Sequence, residues 1–238
     1  MKANFKLKKG DNKIALLIDP DWAVKDDWFN DILSSLEESI IDLVLIGGSL
    51  VINPERLDDI ILSIKKTTSI PVYLFPGHPI QISKHADGIL FLSLISGRNP
   101  ELLIGQHVIS APIIKSYKLN VIPTGYMILG NDSTSVHYMS QTQPIPGNKP
   151  DIAIATAVAG EMLGLKTIYM DGGSGAKQSI SEKIIKEVSG NLDIPLIIGG
   201  GIDSLDKIKS ALKNGADMVV IGTAVEKMPE LLKMSLRK

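Results

Sequence analysis

Cysteine is absent from the 238 residues of this chain. That excludes a disulfide framework, a thiolate metal centre and a thiol nucleophile, and it agrees with the reducing cytoplasm expected as the location. Charge of one sign is lacking as well: 25 basic residues against 26 acidic ones leave a net charge of -1, and neither sign forms a long block. No field exists to gather nucleic acid, so no such partner is expected. Long hydrophobic runs are also missing. Apolar stretches such as 14–18 and 89–92 have strand length, against about 20 residues for a membrane span, so no transmembrane segment is expected. Lys2, Lys6, Lys8 and Lys9 are not followed by an apolar core of signal-peptide length. His78, His85, His107 and His137 show no metal-ligand spacing and read as surface or satisfied core residues.

Glycine, by contrast, is concentrated where it is informative. Three segments, Asp171-Gly172-Gly173-Ser174-Gly175-Ala176, Gly199-Gly200-Gly201-Ile202 and Gly222-Thr223, each follow an apolar run rich in Ile, Val or Leu. Glycine after a strand lets backbone N–H groups approach an anion, and a helix starting there adds its positive end. Three such turns in succession point to one phosphate cradle at the mouth of a barrel, where phosphate sites commonly follow strands seven and eight. Taken singly, each glycine could equally serve only a tight turn.

The rest of the chain alternates strand-like and helix-like segments. Strands are expected at 14–18, 43–46, 72–75, 89–94 and 120–128, a sixth ending before Asp171, and the last two at 195–198 and 218–221. Helices are expected at 25–39, 54–67 with Asn53 as cap, 100–117, 150–163, 205–214 and 224–232, with 130–147 a long polar loop. Eight strands in alternation with helices argue for one α/β domain over 1–238, a single phosphate-binding (β/α)8 TIM barrel. Between strands three and four only residues 76–88 are available, too few for a crossover helix and two loops. The third helix is therefore expected to be replaced by a short extended segment, leaving a gap that either is covered by that segment or opens an apolar groove.

Six motifs then carry a family resemblance. Leu17-Ile18-Asp19-Pro20-Asp21, Gly47-Gly48-Ser49, Leu74-Phe75-Pro76-Gly77, Pro144-Ile145-Pro146, Asn148-Lys149-Pro150-Asp151-Ile152-Ala153 and Tyr169-Met170-Asp171-Gly172-Gly173-Ser174-Gly175-Ala176 stand in the order found in the geranylgeranylglyceryl phosphate synthases, members of the prenylglyceryl phosphate synthases. The chain resembles that family over residues 14–225. The resemblance implies a Mg2+-dependent prenyltransferase that joins the free primary hydroxyl of sn-glycerol 1-phosphate to geranylgeranyl diphosphate, or to a longer chain such as heptaprenyl diphosphate, with release of diphosphate. It implies Mg2+ at Asp19 and Ser49 and a catalytic base at Asp171. Substrate binding is implied for Tyr169, Met170, Gly172, Gly173, Ser174, Gly175, Gly200, Gly201, Gly222 and Thr223, and assembly as a dimer or hexamer. As residues alone, Asp19 before Pro20 also reads as a turn former, Ser49 as a helix cap, and Tyr169 as barrel packing.

Three positions depart from the family's pattern. Asp171 stands where Glu is usual, one methylene shorter. Trp22 and Gly147 stand where basic residues are frequent, with Lys149, Lys25 or Arg98 as possible replacements. Leu94, Ile122, Tyr126 and Pro76, with the segment replacing helix three, are candidates to line a prenyl trough. A phosphosugar-type isomerase or a catalytically silent binding barrel shares the cradle but does not call for Asp19 with Ser49.

Overall fold

The computed structural model describes residues 2–21, 23, 26–50, 53–130, 134–227 and 232. Eight strands, β1 (Lys13–Ile18), β2 (Leu43–Ile46), β3 (Val72–Leu74), β4 (Gly88–Leu94), β5 (Asn120–Ile128), β6 (Thr167–Asp171), β7 (Leu196–Gly199) and β8 (Met218–Ile221), pair in parallel in chain order and close with β8 on β1. The fold is the (β/α)8 barrel expected. The strands read as continuous apolar runs because both faces are buried, with alternate residues serving different cores. Leu43, Leu45, Tyr126, Ile128, Met218 and Val220 belong to the inner cluster, while Val44, Ile46, Met127, Val219 and Ile221 pack in the layer beneath the helices.

The helices are α1 (Asp26–Leu36), α2 (Leu57–Thr67), α3 (Gln106–Ser116), α4 (Ser135–Ser140), α5 (Pro150–Met162), α6 (Glu182–Ser189), α7 (Leu205–Lys213) and α8 (Thr223–Lys227). None of the described helices is long and apolar enough to cross a membrane. Residues 75–87 contain no helix, so the short connection after β3 holds. Two elements escape the sequence reading. The loop 130–147 contains α4, and α6 fills the interval between β6 and β7. Only two turns of α6 display its buried residues Ile184, Ile185 and Val188, too short a period to stand out, although Ser181 caps it by accepting from Ile184 N–H at 3.4 Å. Asn53 does not cap α2. A 3-10 turn, Pro54–Arg56, intervenes, and the Asn53 side chain donates to Asp21 Oδ1 at 3.4 Å.

At the end of the barrel where the strands begin, one device recurs. Asp42, Asp87 and Asp217 each immediately precede a strand, and each accepts from a backbone N–H at the start of the neighbouring strand: Ile14 at 2.9 Å, Val72 at 3.0 Å and Leu196 at 2.7 Å. The second oxygen of Asp87 takes the Ala3 N–H at 3.0 Å, and that of Asp217 takes the Gly10 N–H at 2.6 Å, tying the N-terminal segment across the barrel floor. Phe5 completes this closure, donating its N–H to Tyr73 Oη at 3.0 Å with the two rings edge to face. Asp217→Ala is expected to strand two such donors at about 1–3 kcal/mol each when buried, about 2–6 kcal/mol together, lowering the thermal midpoint of a domain of this size by roughly 4–24 °C. A melt equal to the parent's would show that water replaces the carboxylate.

Candidate active site

The turns at the carboxyl ends of the strands enclose a cavity of about 280 Å³ lined by both polar and apolar groups. Gly173, Ser174 and Gly175 reach it from the turn after β6, Gly200 and Gly201 from β7, and Gly222 and Thr223 from β8. The three glycine segments thus converge on one space. Close approach explains the residue type at Gly200, whose φ is +81°: a Cβ there would lie 2.6 Å from Gly173 N and 2.7 Å from Asp171 Oδ1. Ser174 and Thr223 hydroxyls, 3.3 Å apart, link the first turn to the third. Among the described residues no Lys or Arg lines the cavity. Lys207 braces it from outside, donating to Gly201 C=O at 3.1 Å and to Asp203 at 2.9 Å. The i,i+4 spacing of Asp203 and Lys207 was a legible signal that the sequence reading left unused.

Asp171 closes one wall from the end of β6. It is 7% exposed, accepts a hydrogen bond from Tyr126 Oη on Oδ2, and accepts from Gly173 N–H on Oδ1 at 2.6 Å. Burial pushes its pKa up, and these two donors pull it partly back. Tyr126, Tyr169 and Phe75 form an aromatic cluster beneath it, with ring centres 5.3–5.8 Å apart. Burial and the Asp171 charge hold both phenols well above their ordinary range, so Tyr126 remains a donor. Register explains the meeting: β5 and β6 pair Tyr126 with Tyr169 and Ile128 with Asp171, placing all four on the inner face.

On another side of the same cavity stand Asp19, just beyond β1, and Ser49, beyond β2. Asp19 Oδ1 accepts from Asp21 N–H at 2.9 Å, and its Oδ2 rests against the bare Cα of Gly48, where a Cβ would come within 2.7 Å. Burial raises its pKa, offset by that N–H and reinforced by the Asp21 charge. A carboxylate made reluctant to ionise by partial burial, lining the same cavity as Ser49, suits a hard divalent cation. Mg2+ keeps several waters and uses few protein oxygens when phosphates supply the rest. No cluster of three or more metal-ligating His, Cys, Asp or Glu occurs among the described residues, so any ion here would depend on its substrate for most of its ligands.

A second cavity, apolar and about 430 Å³, shares Gly48, Ser49, Leu50, Phe75, Tyr126 and Val136 with the first. Residues of the segment replacing the third helix, including Pro76, Pro79, Ile80 and Ile82, form one side, and β4, α3 and α4 form the others. Absence of a helix after β3 has therefore opened a trough, which the extended segment lines. Leu94, Tyr126 and Pro76 line it as expected. Ile122 does not, because it packs against the inner barrel core.

Residues 8–237 match the model of the PcrB family. The chain belongs to the PcrB family. A geranylgeranylglyceryl phosphate synthase of Chitinophaga pinensis is 48% identical over 226 residues, covering 94% of this chain and 89% of the relative. One from Spirosoma linguale is 47% identical over 230 residues, covering 96% and 91% respectively. The solved (S)-3-O-geranylgeranylglyceryl phosphate synthase of Thermoplasma acidophilum, in complex with substrate sn-glycerol-1-phosphate, is similar with a TM-score of 0.87 at 30% identity, covering 94% of this chain and 90% of that one.

Two of the expected site residues of this PcrB-family barrel lie outside the cavity lining. Met170 is fully buried in the layer beneath the helices, and Gly172 spends its N–H on Gly199 C=O at 3.0 Å. Of the proposed replacement cations, Arg98 bonds the carbonyls of Ile95 and Gly97, and Lys149 is exposed at the head of α5. Neither lines the cavity; Trp22 and Lys25 lie outside the described residues. Gly147 is exposed, with only Gly130 Cα near where a side chain would begin. His107 differs from a satisfied core residue: it lines the trough edge-on to Phe91, and its buried Nδ1 finds no hydrogen-bond partner among the described residues. Burial lowers its pKa, so it stands there as the neutral ring.

Proposed function

We propose that this barrel is a geranylgeranylglyceryl phosphate synthase, a prenyltransferase forming the ether bond between sn-glycerol 1-phosphate and geranylgeranyl diphosphate. One observation carries the reading: a glycine-lined cavity holding Asp171 and Asp19 meets an apolar trough at a shared wall. A phosphosugar isomerase has no use for such a trough. The turns after β6, β7 and β8 hold the phosphate of glycerol phosphate through backbone N–H groups and the Ser174 and Thr223 hydroxyls. The trough takes the prenyl chain, which leaves its diphosphate at Ser49, the candidate ligand common to both cavities, and at neighbouring Asp19.

Asp19 and Ser49 are the residues that would hold Mg2+, whose charge when bound favours departure of the diphosphate. The glycerol hydroxyl oxygen forms a bond to the first prenyl carbon as that carbon's bond to diphosphate breaks, the leaving group taking the electron pair. Asp171 accepts the hydroxyl proton. Tyr126 and the Gly173 N–H keep its carboxylate aimed, and both substrates held in one pocket replace a bimolecular encounter.

Incubation of labelled sn-glycerol 1-phosphate with prenyl diphosphates of graded length tests this: an ether product and free diphosphate are expected, dependent on Mg2+. Highest kcat/KM with a longer chain than geranylgeranyl would reassign the substrate, and no diphosphate release with any chain would defeat the reading. Self-association is part of the same proposal, since Tyr138, Met162 and Leu163 stand at least 80% exposed; sedimentation as a monomer would remove it.

The cradle has its own test in Gly222→Val. A Cβ at Gly222 meets nothing closer than Leu17 O at 3.4 Å, so the fold tolerates it while the methyl groups occupy the anion's space. Calorimetric affinity for sn-glycerol 1-phosphate is expected to fall at least about tenfold, a loss of about 1.4 kcal/mol, with an unchanged melt. Gly200→Val is the poorer probe, because its strained φ would disturb Asp171 as well.

A further inference from the structure

Gln81 lies in the segment that stands in place of the third helix, and it is 2% exposed. Among the described residues its amide makes three hydrogen bonds, all to backbone. Oε1 accepts from Gly77 N–H at 3.2 Å and from Gly48 N–H at 3.4 Å, and Nε2 donates to Gly48 C=O at 3.0 Å. One side chain thus takes up both backbone groups of Gly48 and orients the peptide planes on either side of it. Burying an amide costs free energy that an apolar residue of the same volume avoids, so the trough wall itself gives no reason for glutamine here.

The contact it holds is bare backbone. A Cβ at Gly77 would lie 2.5 Å from Gly48 O and 3.1 Å from Ser49 Cα, and one at Gly48 would lie 2.7 Å from Asp19 Oδ2. Gly47, with φ +154°, similarly abuts the Phe75 carbonyl. Where Gly48 meets Gly77 the turns after β2 and β3 touch backbone to backbone, and the Gln81 amide bridges them. Gly48 is followed directly by Ser49 and forms the surface on which the Asp19 carboxylate rests. Ile80 and Ile82, the neighbours of Gln81, line the trough.

We propose that Gln81 is a positioning residue for the diphosphate end of the site, acting through Gly48 on Ser49 and Asp19. This rests on the prenyltransferase reading above. Gln81→Leu in the intact chain keeps the volume and removes all three bonds. Calorimetric binding of inorganic diphosphate in the presence of Mg2+ is expected to weaken about tenfold, the lower end of what outer partners of a metal site cost when lost. Binding of sn-glycerol 1-phosphate is expected to be unchanged, and kcat to fall with KM for glycerol phosphate constant. Gln81→Asn keeps an uncharged amide on an arm one methylene shorter, weakens the three bonds without adding charge, and is expected to fall between the two. Diphosphate binding equal to the parent's, or parallel loss of both affinities, overturns the proposal; Gln81→Asn gives the reading if Gln81→Leu does not fold. A parent chain that binds no diphosphate with Mg2+ overturns the prenyltransferase reading itself, and this proposal with it.

Discussion

Asp171→Asn is expected to lower turnover by about 10²- to 10⁴-fold, the range typical of a lost general base, with both substrates still bound. The substitution leaves the side chain's shape, removes its charge and its ability to take a proton, and turns the group facing Tyr126 Oη from acceptor to donor. Its pH dependence identifies the group. Burial is the leading influence on Asp171 and raises its pKa above the ordinary 3.8, so the parent's kcat/KM should fall, as pH is lowered, through that raised value. In Asp171→Asn that acid limb should vanish. Stability should move the other way. A carboxylate whose folded pKa is raised contributes no penalty while protonated, and stability is lost as pH climbs from its unfolded value through the folded one. At neutral pH the asparagine chain is therefore expected to melt no lower than the parent, which separates a lost proton acceptor from a damaged fold. Asp171→Glu, which carries the group usual in the related synthases, is expected to retain activity. Parent-like turnover of Asp171→Asn across a pH series would assign proton removal to water or to the departing diphosphate.

Asp19→Asn is expected to reduce Mg2+-dependent turnover by at least about 10²- to 10³-fold, the usual cost of losing a charge aimed at a developing anion. Calorimetric affinity for sn-glycerol 1-phosphate should be nearly unchanged. The reason is the division of labour in the cavity: the glycine cradle is built by the turns after β6, β7 and β8, whereas Asp19 and Ser49 follow β1 and β2. Equal loss of both would show that Asp19 serves the glycerol phosphate end as well. Because an uncharged amide against Gly48 avoids the burial that raises the Asp19 pKa, this variant too should keep its melting point.

Local rules made much of the barrel and its site legible in the sequence. A strand buried on both faces must be apolar at every position, so runs such as Leu43–Ile46 and Met218–Ile221 stand out without partners being known. The glycines after three of these runs marked the cradle, since only that residue permits backbone to approach backbone as it does at Gly200. Chain length alone, between β3 and β4, ruled out a helix there. What depends on register, packing across the barrel or the path of a loop was not legible. Tyr126 lies 45 residues from Asp171, and only the β5–β6 pairing makes it the donor to that carboxylate. Ile122, four residues earlier on the same strand, belongs to the inner core and not to the trough, a matter of depth in the barrel that apolarity does not encode. The Asn53 side chain answers to Asp21 across a loop, not to the helix beside it. Gln81 reads as an unremarkable polar residue in an irregular segment, and its three bonds arise because Gly48 after β2 and Gly77 after β3 are brought together. Sequence by itself determined which residues can form strands, bare turns and a short crossover, because those follow from side-chain polarity, backbone freedom and chain length. Only the tertiary structure decided which polar atoms meet, because a hydrogen bond between distant residues is set by the closure of the whole barrel.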